Sequence, residues 1–189
     1  MTTEAQAQTS NRLGWDHYPL QLTPVERNNV RIRQPHKGEI AEIVNLRTQV
    51  FFPNQPDRFV FRDEIEVDRN PETVHAVAFS GDVLVGSGLL LPLSETVDDI
   101  HDFKIANVAV RPKYKKNQVG SKILDFLEDI AADLGAPSVG VDATSQAAGF
   151  YEKLGYQRQG PPVVYSKNRI EIPMNKVLMP TMEAVNAHL

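Results

Sequence analysis

The chain has 189 residues, 41% hydrophobic and 23% charged, which suits one globular domain burying roughly 70% of its unfolded surface. A formal charge of −4, from 20 Lys and Arg against 24 Asp and Glu, argues against a dedicated nucleic-acid binder, because neutralising phosphates needs a basic excess or a long basic face. The absence of cysteine excludes a disulfide framework, a thiolate nucleophile and a Cys-based zinc site. No apolar run reaches the ~18 residues that span a bilayer, and MTTEAQAQTS lacks a basic-then-apolar export signal, so a cytoplasmic protein is expected.

Residues 1–28 form an N-terminal extension, polar with isolated apolar positions such as Leu13, Trp15 and Tyr18 and without a period. It is expected to be partly ordered by docking its aromatics, or disordered. From Val30 to Gln34 apolar and polar residues alternate as in a strand, and between Glu39 and Phe52 the residues Ile40, Ile43, Val44, Arg47, Val50 and Phe51 fall at helical spacing. The Pro53–Pro56 stretch ends that helix. After an acidic loop over Glu64–Glu72, the β-rich runs Thr73–Phe79 and Val83–Leu91 flank Ser80-Gly81-Asp82, a hairpin signal. A polar connection from Pro92 to Asp102 leads to a strand over Lys104–Val110, and Val119, Ile123, Leu127, Ile130 and Leu134 then predict an amphipathic helix over Gln118–Leu134. A buried strand over Ser138–Ala143, a short helix over Ser145–Leu154 ended by Gly155 and a strand over Arg169–Val177 complete the order. The pattern is a single mixed α/β domain over residues 29–178, with a C-terminal tail over 179–189.

The stretch from Ile105 to Tyr156 carries the chemical signal. A buried strand runs through a short polar turn into a helix, so free N–H groups and the positive end of the helix dipole face the turn. Lys113, Lys115, Lys116 and Lys122 concentrate basic charge there within an otherwise acidic chain. An anion, best a diphosphate, suits that arrangement, although a solvated lysine run has the same appearance.

VAVRPKYKKNQVGSKIL, followed about thirty residues later by AAGFYEKLGY, resembles the GCN5-related N-acetyltransferase (GNAT) superfamily and its Arg/Gln-x-x-Gly-x-Gly/Ala motif. Arg47 with VFFPNQ, the acidic run Glu64–Asp68, Thr73–Phe79, KIANVAV and Ile172–Lys176 resemble the ElaA/YjcF-like branch. The resemblance implies a mostly antiparallel central sheet flanked by helices, with a splayed strand pair that binds the cofactor. It also implies an acyl-CoA-dependent N-acetyltransferase that moves an acetyl group from acetyl-CoA directly to a primary amine of a small molecule, with no metal. The motif departs from the family at Lys115, for Arg or Gln, and at Gln118, for the first glycine; Gly120 stands. Gly88-Leu89-Leu90 replaces the branch's third-strand arginine and Asp142 its fifth-strand histidine, so the acceptor is expected to differ from the one typical of that branch.

Carried onto this chain, the resemblance assigns donor binding to Val108, Ala109 and Val110, to Lys115, Lys116, Asn117, Gln118, Val119, Gly120 and Ser121, and to Thr144. Backbone N–H groups of Val108 and Val110 would hold the pantetheine arm and polarise the carbonyl. Tyr151 matches the family's general acid, since a phenol with a pKa near 10 stays protonated at neutral pH. Asp142, on the same strand face as Thr144, is the first candidate for the base or for ammonium recognition. Glu64, Glu66 and Asp68 form an alternative acidic wall. His75 fits a core histidine better than a catalytic one. Asp98, Asp99, His101 and Asp102 lack metal-ligand spacing, and Gly86-Ser87-Gly88 lacks nucleophile-elbow spacing. Two further readings keep the fold: another donor (a longer acyl-CoA, a carrier-protein thioester or an aminoacyl-tRNA), or a non-catalytic module that binds acyl-CoA or a protein. An exposed edge strand near the C-terminus would let two subunits pair as a homodimer.

Overall fold

The computed structural model describes residues 25–27, 29–36, 38–54, 73–93, 102–166 and 169–178. Its elements are β1 (Val25–Arg27), β2 (Val30–Arg33), α1 (Ile40–Phe51), β3 (Val74–Ser80), β4 (Val83–Pro92), β5 (Asp102–Val110), a 3-10 turn (Pro112–Tyr114), α2 (Val119–Asp133), β6 (Ser138–Thr144), α3 (Ala148–Lys153), β7 (Gln157–Arg158), β8 (Val163–Ser166) and β9 (Arg169–Val177). The strands form one sheet in the order β1-β2-β3-β4-β5-β6-β9-β7, with β8 also on β9. Every pairing is antiparallel except β5 with β6. This is the expected mixed, mostly antiparallel sheet flanked by helices. The sheet also reaches into the segment read as an extension, since Val25 pairs with Ile32.

Apolar periodicity divides the core between the two faces of the sheet. One cluster joins Ile123, Leu127 and Ile130 of α2 to Ala76, Ala78, Val85, Ile105, Val141 and Ile172, while a smaller one joins Ile43 and Leu46 of α1 to Val77, Phe79, Leu84 and Ala109. Fully burying such side chains is worth roughly 1.5–3 kcal/mol each. Glycine sets the distance between α2 and β4. A Cβ on Gly86 would lie 2.9 Å from Ile123 Cδ1, and one on Gly88 2.7 Å from Ile123 Cγ2. The Gly86-Ser87-Gly88 run is thus a seat for a helix.

At the start of α1 the Arg33 guanidinium donates to both carboxylate oxygens of Glu39 at 2.8 Å, and His36 N–H donates to the same carboxylate at 2.6 Å. The Arg33 bond holds the Glu39 carboxyl well below the usual range, at about 2. This pins the turn that swings α1 across the sheet face carrying His75 and Ser87.

Candidate functional site

The site begins where two neighbouring strands stop pairing. β5 and β6 are in register from Asp102 with Ser138 to Ile105 with Val141. Beyond that β5 runs on to Val110 and β6 to Thr144, the latter still bonded to β9. The strands therefore fork. A bulge opens β5 at this point: Ser87 pairs with Ala109 and Leu89 with Ala106, so Asn107 and Val108 together oppose Gly88. Asn107 takes φ +51°, a left-handed conformation that asparagine tolerates better than most residues. The bulge shifts the strand's phase. Ile105 belongs to the α2-side cluster and Ala109, four residues later, to the α1-side cluster, whereas an unbroken strand would put both on one face.

The same ladder orients the amides. Arg111 N–H donates to Val85 O at 2.8 Å across to β4. Successive N–H groups alternate between the two edges of a strand, so Ala109 points toward β4 as Arg111 does, and Val108 and Val110 point into the fork. Two main-chain donors thus face a gap whose ladder has ended.

The turn after β5 reaches α2 through the 3-10 turn and then Lys115 to Gln118. Lys113, Lys115, Lys116, Asn117 and Gln118 are all exposed, and Ser121 lies in the first turn of α2, whereas Lys122 is buried at 9% exposure. Lys116 and Gln118 adopt φ +70° and +60°. Gln118, standing where the family motif has its first glycine, keeps the left-handed backbone that glycine takes without strain. It caps α2 through its main chain: Lys122 N–H donates to Gln118 O at 3.0 Å, and Ser121 Oγ–H donates to the same oxygen at 2.9 Å. Gly120 lies where three elements meet, for a Cβ there would be 3.1 Å from Phe150 Cζ and 3.7 Å from Val110 Cγ2. Val119 is buried in the core beneath it.

A short turn carries the chain from the tip of β6 into α3, with Ala147 N–H donating to Thr144 O at 2.9 Å. Helix α3 closes through Gly155 at φ +93°: Tyr156 N–H donates to Tyr151 O and Gly155 N–H to Glu152 O, both at 3.1 Å. This Schellman closure brings together the side chains on either side of it, here Tyr151 and Tyr156. Their rings meet edge to face at 5.4 Å, and Phe150 meets Tyr151 at 5.2 Å. The two phenols are treated differently. Tyr156 donates to Glu128 Oε1 at 2.8 Å, and Lys176 Nζ donates to the other oxygen of that carboxylate. Tyr151, 9% exposed, has no hydrogen-bond partner for its hydroxyl among the described residues. Burial pushes the Tyr151 phenol up to about 12. Burial, and then the Glu128 charge and its hydrogen bond, raise Tyr156 further. Both stay protonated at neutral pH.

On the opposite, α1 side of the sheet, Asp142 accepts a hydrogen bond from Lys104 Nζ at the foot of the fork. Thr144 lies two residues along β6 on the same face and is exposed. Arg47 of α1, 2% exposed, donates from Nε to Ser87 Oγ at 3.2 Å, and His75 is fully buried on this face. Tyr151 thus packs on the α2 side of the sheet with Val141 and Ala143 of β6, and Asp142 lies on the other side of the same strand. Glu64, Glu66, Asp68, Asp98, Asp99 and His101 lie outside the described residues, and Asp102 is the first residue of β5. Among the described residues no group of three or more His, Cys, Asp or Glu is placed to hold a metal ion, and no helix is long and apolar enough to cross a membrane.

Sequence reasoning missed Lys104, Glu128, Tyr156 and Lys176. Asn107 within the apolar run IANVAV was the available sign of the bulge.

A forked β5–β6 pair entered by a basic turn and a helix start is the architecture of an acyl-CoA acyltransferase. The family model for acetyltransferases of the GNAT family matches residues 40–156, and the chain belongs to that family of N-acyltransferases. The Bacillus subtilis protein YyaT is 28% identical over 125 residues, 64% of this chain and 78% of its own length. The N-acetyltransferase YjcF of the same organism is 29% identical over 122 residues, 65% of this chain and 81% of its own, in keeping with the ElaA/YjcF-like branch. A Lactobacillus plantarum crystal structure superposes with a TM-score of 0.66 at 22% identity, over 80% of this chain and 100% of that one. The Salmonella typhimurium protein yncA, solved with its cofactor acetyl-CoA, gives 0.63 at 21% identity over 80% and 95%. Escherichia coli ElaA gives 0.62 at 18% identity over 78% and 97%.

Proposed function

We propose that this chain transfers the acetyl group of acetyl-CoA directly to a primary amine of a small molecule, with Tyr151 as the acid. The hydroxyl of a buried tyrosine, without a hydrogen-bond partner among the described residues and set in the first turn of the helix that follows a forked strand, carries the reading. When bound, acetyl-CoA supplies an activated acyl carbonyl and a thiolate leaving group. Main-chain N–H groups of residues 116 and 118–121, with the Lys115 and Lys116 side chains beside them, hold its diphosphate, while the Lys115 and Asn117 N–H groups close the turn on Pro112 O and Tyr114 O. Val108 and Val110 N–H hold the arm and polarise the carbonyl, Ala109 packs between them, and Thr144 lines the other arm of the fork. Tyr151 Oη gives its proton to the sulfur. On the α1 side Asp142, held by Lys104, takes a proton from the acceptor's ammonium so that the neutral amine can attack, or anchors that ammonium.

The left-handed conformation at Gln118 favours a CoA thioester over a carrier-protein or tRNA-linked donor, because the backbone that the missing glycine would supply to a diphosphate is retained. Thiol-release assays and calorimetry test the reading together. Tyr151→Phe is expected to lower kcat about a hundredfold while leaving acetyl-CoA affinity within about twofold. Unchanged turnover would remove the acid from Tyr151, and absence of acetyl-CoA binding would remove the donor. A homodimer is proposed through β8, which among the described residues pairs with β9 alone and exposes Val164 at 68% and Tyr165 at 57%. A monomer at all concentrations in light scattering would reject it.

A further inference from the structure

Resting on the reading of Tyr151 as the acid, we propose that Glu128 and Tyr156 are positioning residues, which fix the Tyr151 phenol through the ring that abuts it. The Schellman closure alone requires only an apolar contact across Gly155. The closure that ends α2 shows this minimum: Gly135 N–H donates to Ala132 O and Ala136 N–H to Ala131 O, both at 2.9 Å, and the residues brought together are two alanines. At the end of α3 the same backbone carries two tyrosines, and the outer one is tied down. Tyr156, 2% exposed, donates to Glu128, 7% exposed and a whole element away in α2, while Lys176 of β9 holds the carboxylate's other oxygen and lies over the Tyr156 ring at 5.7 Å.

An apolar core residue at position 156 would fill the same space without burying a carboxylate. Burying one costs free energy unless its oxygens are both satisfied, as they are here, and charge-assisted bonds of this kind hold their partners to a narrow geometry. The anchored Tyr156 ring meets the Tyr151 ring at an interplanar angle of 75°, and Phe150 meets it at 67°, so the Tyr151 ring is braced by two aromatic neighbours. Phe150 in turn rests on Gly120 at the start of α2. Helix α2 thus touches both braces, Gly120 at its start and Glu128 about two turns on. A proton donor whose own hydroxyl has no partner among the described residues depends on its ring for placement, and these contacts supply it.

The test uses the whole chain and four proteins: wild type, Tyr156→Phe, Tyr151→Phe and the double variant. Free-thiol release from acetyl-CoA is followed with the fastest primary amine of a panel or, if none reacts, with water. Tyr156→Phe is expected to lower kcat about tenfold with KM for acetyl-CoA within about twofold, as misplacement of a reacting group does. On the Tyr151→Phe background the same change is expected to do nothing further, because its effect passes through that hydroxyl. Full kcat in Tyr156→Phe, or an equal loss in both backgrounds, overturns the proposal. If Tyr151→Phe lowers kcat and Tyr156→Phe does not, positioning falls and the acid reading stands; if Tyr151→Phe is fully active, both fall. A second pair guards against misfolding at position 156. Glu128→Gln retains an acceptor for the phenol and is expected to keep kcat within about threefold, whereas Glu128→Leu is expected to reproduce the Tyr156→Phe loss. Equal kcat in those two variants also overturns the proposal.

Discussion

The turn that leads into α2 and the closure that ends α3 touch each other where Phe150 overlies Gly120, yet they work with different parts of their residues. The turn works with its main chain. Its side chains are exposed, and Gln118 holds the left-handed conformation of the glycine it replaces. The closure works with side chains, whose rings and hydroxyls are distinguished by single hydrogen bonds. A backbone device tolerates any residue that can adopt its dihedral angles, whereas a side-chain device fails with the loss of one atom.

If that contrast is right, deleting one oxygen from α3 outweighs most changes in the turn, and the hundredfold loss expected for Tyr151→Phe heads the series. The alkaline side offers a check on the same group. A phenol raised from 10 to about 12 by burial binds its proton more tightly folded than unfolded, so its contribution to stability is complete below pH 10 and is lost as pH rises toward 12. Thermal midpoints above pH 10 should therefore fall less steeply in Tyr151→Phe than in wild type; parallel curves would mean that the phenol is not shielded from water. Next comes Gly88→Ala, which would set a methyl 2.7 Å from Ile123 Cγ2 and push α2 off its seat. A loss of about 1–3 kcal/mol in denaturant unfolding is expected from such overpacking. Within the turn, Gln118→Val places a β-branched residue at φ +60°, costing about 1–2 kcal/mol, or roughly tenfold in acetyl-CoA affinity by calorimetry. Gln118→Gly should bind as well as wild type or better, and a loss there would mean that the amide side chain itself grips the donor.

The sequence made the repeated features legible and left the register-dependent ones hidden. Ser80-Gly81-Asp82 turned the hairpin as its chemistry required, the apolar spacing located α2, and the strand over Arg169–Val177 has the bounds read for it. β1 and β7, with three and two residues, are too short to carry a period. Tyr151 could be proposed because its neighbours form a recognisable string, and Val108 and Val110 because they lie in a strand of obvious type. Lys104 could not be matched to Asp142 until the parallel register of β5 and β6 was known. Glu128, Tyr156 and Lys176 meet across separations of 28 and 48 residues, and nothing local in the chain announces either contact.

The smallest expected effect is the sharpest test of the contrast. Lys115 and Lys116 draw attention in the sequence because they are charged, but both are exposed, and an exposed ion pair contributes about 0–1 kcal/mol, screened further by salt. Lys115→Ala leaves every N–H of the turn in place, with φ −61° and ψ 147° at residue 115 open to alanine. Acetyl-CoA affinity is therefore expected to fall only about threefold at low salt, and the difference from wild type should vanish by about 0.5 M salt as screening removes the charge attraction. A thirtyfold loss that survives high salt would place the grip in the lysine side chain and collapse the distinction between the two regions.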